Sequence, residues 1–297
     1  MSITVNSVSK SYKSQKVLNN ISFSADKGQI IGFLGPNGAG KSTMMKILTG
    51  YIKPNSGEVF VDEIDVLKNP IAAQKVIGYL PEHNPLYAEM YVREYLQFQA
   101  AIYKVAKSQI EDCIEKVGLT LEVNKKIHQL SKGYQQRVGI AAAILHNPKV
   151  LILDEPTTGL DPNQIIEIRA LIQELGKNKT VLFSTHIMQE VEAVCDRVII
   201  IKKGQILVDK KLEELQDSKQ QIIEVTFNTF FDEVIFQKLS NLSSVKNTLD
   251  NNWQLTFSSY EDVRSKIFDL AQENNLKILG LTTQNKNLET FFREVTI

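Results

Sequence analysis

Three segments hold residues whose type and spacing could do chemistry. The first is Gly35-Pro36-Asn37-Gly38-Ala39-Gly40-Lys41-Ser42-Thr43. It fits the pattern G-x-x-x-x-G-K-[ST], with a β-branched apolar run before it and the helical run MMKILTG after it. Glycines at these positions let the backbone wrap tightly, so that successive N–H groups face a cluster of phosphate oxygens. The helix that starts there adds the positive end of its dipole. Lys41 reaches the β- and γ-phosphates as a mobile point charge, and the Ser42 hydroxyl is a ligand for Mg²⁺. The second segment, Val150-Leu151-Ile152-Leu153-Asp154-Glu155, is an apolar run that ends in two acids. Packing does not call for that ending, because an uncompensated buried carboxylate is costly. If the run is a parallel strand, its end lies where such sheets bind ligands. Asp154 is then near Mg²⁺, and Glu155 is placed to polarise an attacking water. The third segment is Phe183-Ser184-Thr185-His186. A lone histidine is usually structural, but one that closes a strand of the same sheet faces the same ligand edge and can hydrogen-bond a γ-phosphate.

The elements that must hold these residues are legible as pattern. QIIGFLG, VIGYLP, VLILDE, TVLFSTH and RVIIIKKG are short, β-branched and apolar on both faces, as strands covered on two sides are. Between them lie helical stretches such as NQIIEIRALIQEL, where Ile165, Ile168, Ile172 and Leu175 form one stripe. Alternation of the two predicts an α/β fold with a mainly parallel sheet. The opening SITV and ISFSAD alternate apolar with polar and predict an antiparallel β subdomain. Residues from about 85 to 147 read as an inserted helical subdomain. Beyond a charged, Gln-rich linker the pattern changes again. IIEVTF, FDEVIFQKLSNL, VKNTL, WQLTF, YEDVRSKIFDLAQENN and LKILGLTT give the order strand, helix, strand, strand, helix, strand, with Asp250-Asn251-Asn252 as a hairpin turn. That order predicts a small ferredoxin-like α+β domain, followed by a short helix in NLETFFREVTI. The expected division is residues 1–217 for a nucleotide-binding domain and 218–297 for the accessory domain.

Bulk properties narrow the class. The 297 residues carry 34 basic and 34 acidic side chains, and this balance argues against a nucleic-acid partner. The two cysteines, Cys113 and Cys195, lack metal-ligand spacing and read as small buried hydrophobes in a reducing compartment. The longest apolar run is IAAAIL, Ile140 to Leu145, far short of the ~18 residues of a membrane span. The expectation is a cytoplasmic protein that reaches a membrane only through a partner.

The phosphate loop GPNGAGKST, the segment LSKGYQQR from Leu130 to Arg137 and LILDEPTTGLD from Leu151 to Asp161 resemble, in order and spacing, the motifs of ABC-type ATPases. The resemblance covers about residues 2 to 215. It implies an ATP- and Mg²⁺-dependent phosphate-loop ATPase that powers transport through separate membrane subunits. It also implies a head-to-tail dimer, with a second copy of the chain as the expected partner. ATP would lie between the phosphate loop of one subunit and Ser131 and Gly133 of the other. Asp161 would act across the interface, and Tyr12 would stack under adenine. Two departures stand out: Lys132 and Tyr134 replace the second-position Gly and the Gln of the common LSGGQ, and Glu82 stands where a Gln usually ends the lid-loop strand. Glu82 is carried over as a metal-side residue on that correspondence. A narrower resemblance, in LSKGYQQR and the C-terminal tail, is to the ATPase of the gliding-motility-associated transporter (the Gld type), an exporter placed on the cytoplasmic face of the inner membrane. A soluble ABC ATPase uncoupled from transport is the alternative.

Overall fold

A computed structural model describes residues 1–216, 220–258 and 262–285. The described residues fall into two compact units that divide between Leu212 and Glu213. The first contains β1 (Ile3–Tyr12), β2 (Gln15–Ala25), β3 (Ile30–Leu34), α1 (Lys41–Leu48), β4 (Ser56–Val61), β5 (Ile64–Asp65), α2 (Pro70–Val76) and β6 (Ile77–Leu80). It continues with α3 (Val92–Tyr103), α4 (Lys107–Lys116), α5 (Lys132–Ile144), β7 (Val150–Asp154), α6 (Pro162–Gly176), β8 (Thr180–Thr185), α7 (Met188–Val194), β9 (Arg197–Lys202) and β10 (Gln205–Lys211).

Six strands form the central sheet in the order β10-β9-β3-β8-β7-β6. All neighbours are parallel except β10, which closes the edge antiparallel to β9. Every residue of β3, β7 and β8 is buried, which is why these strands read as continuous apolar runs. Alternate residues go to opposite faces. Ile31, Phe33, Val150, Ile152 and Leu182 pack with Met44, Met45, Ile47 and Leu48 of α1 on one side. Leu151, Leu153, Val181 and Phe183 pack with Val138 and Ile140 of α5 and Ile168 and Ile172 of α6 on the other. The opening segment forms a separate antiparallel sheet, β2-β1-β4-β5. The insert is helical as expected, with α3, α4 and α5 sharing the second of those cores.

The second unit begins with α8 (Leu212–Gln216), whose first residue ends the first unit. It then holds β11 (Gln220–Phe227), β12 (Leu242–Leu249), β13 (Asn252–Ser258), α9 (Arg264–Glu273) and β14 (Ile278–Asn285). Its sheet runs β12-β13-β11-β14, all antiparallel, around Trp253, Leu255, Phe257, Phe236 and Ile267. One expected helix differs: FDEVIFQKLSNL forms only a 3₁₀ segment, Glu233–Lys238, capped by Asp232. Phe236 is its buried anchor and Leu239, the residue just past its end, is buried as well; a spacing of three is the 3₁₀ repeat, which brings both to one side. The helix expected in NLETFFREVTI lies outside the described residues.

Candidate functional site

The loops that leave β3, β6, β7 and β8 emerge on one edge of the parallel sheet. Their side chains line a cleft of about 410 Å³ with Asn37, Gly38, Gly40, Lys41, Ser42, Thr43, Glu82, Glu155, Thr158 and His186. Tyr12, Gln15 and Val17, from the β1–β2 hairpin, complete it. The approach of hairpin to loop is set by Gly40, at φ 111°: a Cβ there would come within 2.7 Å of Leu18 Cδ2 and 3.0 Å of the Val17 carbonyl. Gly35, Pro36 and Ala39 belong to the loop without lining the cleft.

Lys41, the first residue of α1, is 6% exposed and turned back into its own loop. Its ammonium donates to Gly35 O at 2.8 Å and Pro36 O at 3.3 Å, and pairs with Glu155 Oε1 at 3.3 Å. Glu155 follows β7 at φ 50°, a left-handed conformation that a side chain adopts only when its surroundings enforce it. Its other oxygen accepts from Thr158 Oγ1 at 3.1 Å and meets His186 Nδ1 at 2.9 Å. A carboxylate can only accept, so in that contact Nδ1 carries the proton. The structure therefore brings Lys41, Glu155 and His186 into one cluster.

Asp154 sits one residue earlier and 1% exposed. Its Oδ1 accepts from Ser184 Oγ at 2.5 Å and Ser42 Oγ at 3.1 Å. Burial holds its carboxyl above the ordinary value; the two hydroxyls pull the other way, and the negative charges of Glu82 and Glu155 reinforce the rise. A buried carboxylate whose partners are hydroxyls and whose charged neighbours share its sign fits a hard divalent cation bound through oxygen. Ser42, Asp154 and, at the exposed rim, Glu82 are the residues that would hold it.

Ser131, Gly133 and Asp161 are not among the residues that line the cleft. Ser131 caps α5, its hydroxyl accepting from Tyr134 N at 3.4 Å, and Asp161 caps α6, accepting from Gln164 N at 2.9 Å. The Gln164 side chain links the two caps through Ser131 Oγ at 3.4 Å, and Gly133 leaves the room it needs, since a Cβ there would lie 2.5 Å from it. The Lys132 ammonium occupies the space a Cβ on Gly159 would take.

Sequence reasoning missed Ser184, Thr158, Gln15 and Val17. Ser184 had a signal of the same kind as Asp154, a polar residue inside a strand that is otherwise apolar on both faces. Thr158, Gln15 and Val17 had none, because only the folded turns bring them to the cleft.

A family model described as ABC transporter matches residues 18–158. The chain is 34% identical over 293 residues to the bacitracin transport ATP-binding protein BcrA of Bacillus licheniformis, covering 98% of this chain and 95% of that protein. It is 32% identical over 301 residues to the linearmycin resistance ATP-binding protein LnrL of Bacillus subtilis, covering 97% and 96%. Among solved structures, the dimeric post-hydrolysis state of the ATP-binding cassette MJ0796 with ADP and Pi superposes with a TM-score of 0.65 at 28% identity, over 71% of this chain and 98% of that one.

Proposed function

Because this chain belongs to the ABC transporter ATP-binding proteins, a family of ATPases that power transport, we propose that it hydrolyses ATP in a head-to-tail dimer and drives export through separate membrane subunits. The observation that carries the reading is a separation. Lys41, Glu155 and His186 share one cleft, whereas the capped N-terminus of α5 with Ser131 and Gly133 does not line it. The N-terminus of α1 already serves a triphosphate in that cleft, and that of α5 joins it when a second protomer supplies it.

Nucleotide binding exchanges partners. The triphosphate competes for Lys41, which leaves Gly35 O, Pro36 O and Glu155, and Glu155 is then free to orient the attacking water. Tyr12, about half exposed at the rim, offers its ring to adenine, an affinity with little base selectivity. Ser131 and Gly133 of the second protomer close over the γ-phosphate, with Asp161 at the same interface. His186 Nδ1 is engaged with Glu155, so a phosphate contact falls to Nε2. Ser42, Asp154 and Glu82 would hold Mg²⁺, which would supply positive charge to offset that of the triphosphate. Positioning and charge stabilisation supply most of the rate.

No helix among the described residues is long and apolar enough to cross a membrane. The proposed location is the cytoplasmic face of the membrane, held there by its partners. Their surface is assigned to the helical insert, where Tyr87 edges against Tyr95 and Phe98, and Tyr91, Ile102 and Tyr103 are exposed. Tyr95 and Tyr103 also line an adjoining groove of about 260 Å³ with Tyr51, Tyr79 and His146. Exposed aromatics on this scale are anchors for a partner. Similarity along nearly their whole length to proteins of bacitracin transport and linearmycin resistance supports export as the direction. A role in gliding motility is a narrower reading that rests on LSKGYQQR and the C-terminal tail alone.

The test is turnover by the purified chain. Glu155→Gln is expected to lower the ATPase rate by about a hundredfold or more and to trap dimers on ATP. An unchanged rate in that variant would refute the assignment of Glu155 and the mechanism built on it.

A further inference from the structure

One buried carboxylate is left without a role. Glu190, in α7, is 1% exposed and accepts hydrogen bonds from the hydroxyls of Thr157 and Thr185, both buried as well. Thr157 lies in the turn that leaves β7, two residues after Glu155. Thr185 is the last residue of β8, directly before His186, and its hydroxyl also accepts the Ile187 N–H at 3.0 Å. A single carboxylate thus ties together two loops whose functional side chains meet 2.9 Å apart, at Glu155 Oε2 and His186 Nδ1. An apolar residue would fill this packed position at lower desolvation cost, so the carboxylate calls for an explanation other than packing. Charge-assisted bonds from two hydroxyls fix distance and direction more firmly than neutral ones. The left-handed backbone of Glu155 also has to be held by its surroundings.

We infer that Glu190 is a positioning residue for hydrolysis, a clamp that sets the spacing of the Glu155 loop against the His186 loop. The inference rests on the roles given above to Glu155 and His186. Glu190, Thr157 and Thr185 are absent from the lining of the cleft. The clamp therefore governs turnover and leaves nucleotide affinity alone.

The experiment compares Glu190→Ala with Glu190→Gln by steady-state ATPase kinetics, with thermal melting as the check on folding. Glu190→Ala is expected to lose roughly ten- to a hundredfold in kcat, with KM for ATP within about twofold of wild type. Glu190→Gln is expected to recover most of that loss, since its amide can accept from one hydroxyl and donate to the other. Wild-type kcat in a folded Glu190→Ala protein overturns the clamp. So does a raised KM at unchanged kcat, or a Gln variant as impaired as the Ala one. If Glu190→Ala does not fold, Thr157→Val decides, because it removes one arm only: a lowered kcat at constant KM supports the clamp, and wild-type kcat overturns it. Glu155→Gln run in parallel separates the two ideas. Turnover that survives Glu155→Gln sinks the catalytic assignment; turnover lost there but intact in folded Glu190→Ala sinks the clamp alone.

Discussion

Two adjacent acids carry opposite burdens at the scale of single residues. Glu155 is balanced by Lys41 at 3.3 Å, whereas Asp154 has only hydroxyl partners. Lys41→Ala therefore strands a buried charge and should cost about 3 kcal/mol or more in chemical unfolding. Glu155→Gln should cost clearly less, because Lys41 keeps its bonds to Gly35 O and Pro36 O. Equal losses in the two variants would show that the Gly35 and Pro36 carbonyls do not compensate Lys41 for a lost carboxylate. Asp154 behaves in the reverse sense. Its folded pKa is raised, first by burial, so the stability it contributes is full below the ordinary carboxylate value and is lost as pH rises through the raised one. At neutral pH it is a cost, and Asp154→Asn should raise the melting temperature of the nucleotide-free protein by about 2–4 °C. The same variant should lose the extra stabilisation that Mg²⁺ adds to ATP, a difference that melting curves with and without Mg²⁺ would read. The sequence made Asp154 and Glu155 legible because an apolar strand that ends in acids breaks the packing rule. It did not reveal that one is paired and the other not, which depends on Lys41 turning back into its own loop.

Glycine spacing decides more at the scale of elements than the hydrophobic pattern shows. Gly78 in β6 lies against α5 so closely that a Cβ would come 2.2 Å from the Ala143 carbonyl and 2.9 Å from Pro148 Cγ. Backbone cannot give way as a side chain can, so Gly78→Ala should destabilise the first unit by about 1–3 kcal/mol. Gly133→Ala is the informative contrast. The atoms nearest to its Cβ would all belong to the Gln164 side chain, the first at 2.5 Å, and that side chain can swing aside. The fold should melt within a degree or two of wild type, while ATP-dependent dimerisation weakens because the α5 N-terminus is displaced from its cap-to-cap link with α6. Thermal melting and light scattering with ATP separate the two effects. The run VIGYLP identified a buried strand by its composition, but nothing local distinguished Gly78 from any other strand glycine; the α5 carbonyl that requires it comes from 65 positions along the chain. The 3₁₀ segment at Glu233–Lys238 failed for a related reason: its apolar residues suit a helix of either pitch, and the sheet they anchor to selects the tighter one.

For the molecule as a whole, alternation of strands and helices was enough to place the phosphate loop, the acids and His186 on one sheet edge, because parallel strands direct their C-terminal ends to the same side. The second unit holds the four strands that its sequence of elements predicts, paired in the order β12-β13-β11-β14. The proposed partner of the cleft, the α5 N-terminus of a second protomer, can be tested without any membrane subunit. In a head-to-tail dimer each site takes Glu155 from one protomer and Ser131 from the other. Glu155→Gln and Ser131→Arg should each abolish turnover alone, the first by removing the water-orienting carboxylate and the second by placing a bulky charge at the capped helix end. When the two variants are mixed, the hybrid dimer collects both lesions in one site and leaves the other site intact, so turnover should reappear. If Ser131 instead served the nucleotide of its own protomer, every site in the mixture would still carry a lesion and the mixture would stay as inactive as its components. Steady-state ATPase measured across mixing ratios, with a peak near equal amounts, distinguishes the two arrangements, and a flat line at the level of the single variants would sink the sandwich.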